Sequence, residues 1–201
     1  MSIILISGTH SWDGTRKDWW STDSDFTKYL ESQGHTILDK DRPFVWSTRI
    51  GGVGFGDEDL AVWKAAGINL YAYLVPPRCP DKQVPGKDVT IISHSHGLQV
   101  VLFAAAAGLK INTFIDICGP VRKDMMPIAT AAKPNIRRWV HFSAGRRDRM
   151  QWFGTLFDGH FGIVRGHPLA HQNVSVKDAD HGSLLRDPAH FSKINDALKP
   201  N

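Results

Sequence analysis

With 201 residues, 42% of them hydrophobic and 22% charged, the chain has enough apolar side chain for one packed core, and a disordered chain is not expected. The net charge of +4 is spread along the sequence, and its densest cluster, Arg146, Arg147 and Arg149, lies around a candidate acidic residue rather than on a basic helix. No nucleic-acid-binding module accompanies that charge, so a nucleic-acid partner is not expected.

The opening run SIILIS (2–7) reads as a short buried strand ending at Gly8. It is too short for a signal sequence or a membrane span and has no basic flank, so stable membrane insertion is not expected. A cytoplasmic protein is the default expectation, with a secreted mature form as the other. Asp25 to Gln33 reads as a helix capped by Ser24 and stopped by Gly34, and His35 to Leu38 leads into a second strand. Asp57 to Leu74 carries a helical stripe of Leu60, Trp63, Ile68, Leu70 and Tyr71, weakened by Gly67. Before it, Gly51 to Gly56 lacks the Lys-Ser/Thr ending of a phosphate cradle and reads as a loop; after it, 76–86 is proline-rich and aperiodic.

Asp88 to Ile92 is a strand, followed by Ser93-His94-Ser95-His96-Gly97 and an apolar helix over Leu98 to Leu109. Further strands follow at Thr113 to Cys118, Arg138 to Ala144 and Asn173 to Val176, and Pro188 to Leu198 closes the sequence as a helix. Strands alternating with helices predict an α/β fold, a parallel sheet covered on both faces, in a single domain over 1–201. Catalytic groups in such sheets sit on loops beyond the carboxyl ends of strands.

Ser95 stands in a five-residue turn between an apolar strand and an apolar helix. Such a sharp turn needs small residues two positions on either side, a need that Gly97 meets and Ser93 meets as a small residue in place of glycine. A serine hydroxyl is a poor nucleophile until a base takes its proton, and that base needs an acid to orient it. Asp148 follows the strand ending at Ala144, and His181 follows the strand ending at Val176. The order Ser95, Asp148, His181 places nucleophile, acid and base each just past the end of a strand, with the strand at Thr113 to Cys118 between the first and the second. Asp116, Asp178 and Asp180 are rival acids: the first lies inside a strand, and the other two share the histidine loop, where they would shape the turn.

His94 and His96 form an H-x-H with no nearby third ligand, and His160, His167 and His171 are irregularly spaced, so no metal site is expected at either group. Cys79 and Cys118 lack metal-ligand spacing and leave a bridge between them open.

The elbow SHSHG (93–97), the acid loop AGRRD (144–148) and the closing DADHGSLL (178–185) together resemble the α/β-hydrolase family in its compact, lipase- or esterase-like form, over nearly the whole length. The resemblance implies about six parallel strands, without the two antiparallel strands that open larger members. It implies a serine hydrolase that cleaves a carboxylic ester of a small molecule or lipid through an acyl-enzyme, with no cofactor. Thioesterase or amidase chemistry on the same triad, or a ligand-binding homologue without turnover, are its alternatives. The family's oxyanion loop corresponds to Gly8-Thr9-His10-Ser11-Trp12, so the backbone N–H of His96 and that of Thr9 or His10 would hold the oxyanion. Trp12 beside that loop, and Phe157 in the aromatic segment 150–172 where the family often carries a cap or pocket wall, are the expected substrate contacts.

Overall fold

The computed structural model describes residues 1–8, 19–38, 44, 46, 57–75, 89–145, 148 and 166–199, the side chains of 57–59 excepted. Among the described residues six strands form one sheet: β1 (Ser2–Ile6), β2 (Thr36–Ile37), β3 (Val89–His94), β4 (Ile111–Ile117), β5 (Ile136–Ala144) and β6 (Gln172–Val176). All five pairings are parallel, in the spatial order β2-β1-β3-β4-β5-β6. The chain leaves β1 toward β2 on one side and returns to β3 on the other, so the order reverses between β1 and β3. In an open parallel sheet the crevice beyond such a reversal is where ligands bind.

Five helices lie among the described residues: α1 (Asp25–Ser32), α2 (Asp57–Leu74), α3 (Gly97–Ala106), α4 (Met126–Ala132) and α5 (Pro188–Leu198). They cover both faces, which explains why the strands read as continuous apolar runs rather than alternating ones. On one face Ile4, Ile6, Ile91, Phe114 and Trp139 pack with Trp63 and Leu70 of α2 and with α3 and α4. On the other, Ile3, Leu5, Ile92, Ile115, Val140 and Phe142 meet Phe26 and Leu30 of α1 and Phe191 and Ile194 of α5. No described helix is long and apolar enough to cross a membrane.

The local signals hold where they were specific. Ser24 caps α1 by accepting from the Thr27 N–H at 3.0 Å, and Gly34 takes the left-handed conformation, φ 80°, that ends it. On α2 the expected stripe needs one correction, because Ile68 is 49% exposed. The buried face runs instead through Trp63, Ala66, Leu70 and Leu74. Gly67 belongs to this face: a Cβ there would stand 2.4 Å from Phe103 Cβ and 2.8 Å from the Val100 carbonyl, so α2 and α3 touch backbone to backbone.

Candidate active site

β3 is buried almost to its end and runs through Ser93 and His94 into the turn, with α3 beginning two residues after Ser95. Ser95 adopts φ 52°, a left-handed conformation that costs a non-glycine residue about 1–3 kcal/mol. The turn is braced by its surroundings: the Ser95 N–H donates to the Ile117 carbonyl at 2.9 Å, and the Leu98 N–H to the Ser95 carbonyl at 3.1 Å. Two glycines let the end of β1 press against it. A Cβ at Gly8 would stand 2.7 Å from both the His94 carbonyl and Ser95 Cβ, and one at Gly97 would stand 2.8 Å from the Ser7 carbonyl. Of the expected oxyanion-loop segment, only Gly8 lies within the described residues, and it touches the turn. Thr9, His10 and Trp12 lie outside them, as do Phe157, most of 150–172, Cys79, His160, the three arginines around Asp148 and the glycine loop 51–56. His96 is the residue from which α3 starts, so its backbone sits at the positive end of that helix.

The acid and histidine loops cross at Gly145, where a Cβ would stand 2.1 Å from the Lys177 carbonyl. Beyond that crossing, His181 Nδ1 and Asp148 Oδ2 are 3.1 Å apart. Asp148 is buried, while the His181 side chain keeps 21% of its surface exposed. Asp180 shapes the loop: its carboxylate accepts from the Gly182 N–H at 2.9 Å and the Ser183 N–H at 2.8 Å. Asp116 is tied elsewhere, with Oδ2 2.5 Å from His141 Nδ1 and both residues buried. Ser93, Asp116 and His141 are register neighbours across β3, β4 and β5.

No hydrogen bond joins the Ser95 hydroxyl to the His181 ring; the turn and the histidine loop are joined through His94, whose Nε2 lies 2.7 Å from the His181 carbonyl oxygen. A carbonyl only accepts, so His94 carries its proton on Nε2. Its ring centre lies 4.8 Å from that of His181 and 6.1 Å from that of Trp19. Burial, reinforced by the neighbouring His181, lowers the His94 pKa to about 3. His96 stacks on Trp63 at 5.1 Å, and the Arg122 guanidinium sits 5.1 Å from the same ring. Burial and then the Arg122 charge lower the His96 pKa to about 4. Both flanking histidines are therefore neutral near pH 7, and their partners are structural.

His167 and His171 also have structural partners: His167 packs on Trp139 at 4.2 Å, and His171 Nδ1 accepts from the Trp139 N–H at 2.8 Å. Sequence reasoning missed the His94 link and the Asp116–His141 pair. An aspartate and a histidine inside neighbouring apolar strands were the only signal of the latter.

The chain matches no protein-family model and no curated protein sequence. Solved structures do resemble it. A carboxylesterase of the ammonia-oxidising thaumarchaeon Nitrososphaera gargenis superposes with a TM-score of 0.55 at 11% identity, over 98% of this chain and 89% of that one. An esterase of Pyrococcus furiosus superposes with a TM-score of 0.53 at 14% identity, over 98% and 81%. Polyneuridine aldehyde esterase superposes with a TM-score of 0.50 at 13% identity, over 98% and 99%. This is the α/β-hydrolase fold. At such low identity the likeness shows architecture, and within that fold the residues on the strand ends decide the chemistry.

Proposed function

We propose that the chain is a serine hydrolase that cleaves a carboxylic ester, with Ser95 as nucleophile, His181 as general base and Asp148 as the acid that orients the imidazole. The reading rests on one observation: a serine in a left-handed strand-to-helix turn is bound, through His94, to a loop whose histidine faces a buried aspartate at 3.1 Å. The fold shared with esterases supports the reaction class.

Asp148 on Nδ1 leaves Nε2 of His181 to take the Ser95 proton as the hydroxyl attacks the ester carbonyl. Rotation and closure on substrate would form the serine–histidine hydrogen bond, since catalytic hydrogen bonds often tighten only in the complex. The His96 amide, at the start of α3, stabilises the oxyanion together with an amide from Thr9 or His10. His181 then protonates the leaving alcohol and activates the water that releases the acid. The substrate is a small-molecule or lipid ester, and none of these steps requires a cofactor.

Ser95→Ala and His181→Ala should each lower kcat about a millionfold on a responsive ester while leaving the fold intact. A fluorophosphonate should label the wild type at Ser95. Turnover near wild type in either folded variant, or labelling elsewhere, would remove the assignment.

A further inference from the structure

The proposed mechanism leaves one reactive side chain beside the acid–base pair unused. Cys118 follows β4, is fully buried, forms no disulfide and is, with Ser95, one of two described non-glycine residues with positive φ, at 53°. Its N–H donates to the Phe142 carbonyl at 2.8 Å, which fixes it between the ends of β4 and β5. Its Sγ, a carboxylate oxygen of Asp148 and a ring nitrogen of His181 all lie within 4.8 Å of one another. Burial and the Asp148 charge push the thiol pKa well up, so without a cation it is a neutral thiol.

The geometry points to a site for a soft divalent cation of the zinc type, formed by Cys118, Asp148 and His181, whose occupancy excludes the hydrolytic use of the same histidine. The second half of this inference rests on the function proposed above. A sulfur, an oxygen and a nitrogen donor suit zinc, whereas calcium and magnesium select all-oxygen sites. Bonds of about 2.0–2.3 Å around a tetrahedral ion put donors about 3.3–3.8 Å apart, so the three atoms need close by no more than about 1.5 Å. Asp148 and His181 are already at 3.1 Å, and the partly exposed imidazole gives the ion an entry edge. The fourth position falls to water.

Proton balance gives the consequence. Cys118 binds as thiolate and releases its proton to solvent. The His181 nitrogen that faces the carboxylate is Nδ1, so metal binding there moves its proton to Nε2. A protonated Nε2 cannot accept the serine proton.

Cobalt(II) titrated into the full chain is the direct test, because thiolate ligation produces a sulfur-to-cobalt charge-transfer band. One equivalent should develop the band, zinc should displace it, and Ser95→Ala should retain it. Cys118→Ala and Cys118→Ser should lose it, the second variant preserving volume in case the first unfolds. In the ester assay zinc should inhibit the wild type, and both Cys118 variants should need at least tenfold more zinc to halve their own zinc-free rate. A wild type without the band, or a band that survives in folded Cys118 variants, would overturn the site. A band that follows Cys118 in a chain that hydrolyses no ester would uphold the site and remove the hydrolase reading. Hydrolysis with no band would do the reverse.

Discussion

The imidazole of His94 donates from Nε2 to the backbone carbonyl of His181 at 2.7 Å, so the residue preceding the candidate nucleophile holds the loop of the candidate base. Replacing it with phenylalanine keeps a ring between Trp19 and His181 but deletes the donor. The freed carbonyl costs about 1–3 kcal/mol of stability. More tellingly, a displacement of the base by about 1 Å costs on the order of a hundredfold in rate. His94→Phe should therefore lower kcat tenfold to a hundredfold on the order-of-magnitude scale of that effect, with KM little changed. An unaltered kcat in the folded variant would show that the link does not position His181.

Acid should destabilise the fold well before the carboxylates are protonated. Burial is the largest cause that holds His94 at about 3, His96 at about 4 and His167 at about 3, below the ordinary imidazole value of about 6.5. Once unfolded, each binds a proton below about pH 6.5, while the folded chain does not. Their contribution is therefore fully present above that pH and shrinks as pH falls toward 4, by up to about 1.4 kcal/mol per pH unit for each histidine. Urea midpoints should hold from about pH 7.5 to about pH 6.5 and then fall down to about pH 4.5, and His167→Phe should flatten that fall. A midpoint unchanged across that window would show these histidines to be titratable in the folded state.

Gly67→Ala tests the contact between α2 and α3. Alanine gains up to about 1 kcal/mol of helix propensity over glycine. Its Cβ, however, would stand 2.4 Å from Phe103 Cβ and within 3 Å of backbone atoms of Val100 and Ala104, none of them a flexible side-chain tip. Overpacking of this kind costs about 1–3 kcal/mol and should win. A net loss of stability is expected by denaturant unfolding, and a net gain would mean that the helices separate at little cost.

That glycine also shows where sequence reading stops. Strands were legible because a sheet buried on both faces makes each of them a continuous apolar run, as in VTII and TFIDI. The end of α1 was legible because Gly34 supplies a local conformation. On α2, the packed face uses Ala66 and Gly67, small residues chosen for closeness, so counting hydrophobicity pointed to the exposed Ile68. At the candidate site, Ser95, Asp148 and His181 are singled out as candidates because a parallel sheet sends such groups to its carboxyl ends. The pairing of His94 with a carbonyl 87 residues away, and the proximity of Cys118 to Asp148, depend on register and loop crossing that no single segment encodes.

The two aspartates that compete for the role of acid separate by experiment, because the structure gives them different partners. Asp148 faces His181, whereas Asp116 is buried against His141 on a strand interior. Asp148→Asn keeps the volume but favours the wrong imidazole tautomer, so it should cost about ten-thousandfold in kcat. Asp116→Ala removes one partner of a buried pair and should cost about 3–5 kcal/mol of stability, with turnover per folded molecule close to wild type. Measuring unfolding and kcat on both variants decides the matter: if Asp116→Ala is stable but inactive and Asp148→Asn retains its rate, the acid has been assigned to the wrong strand.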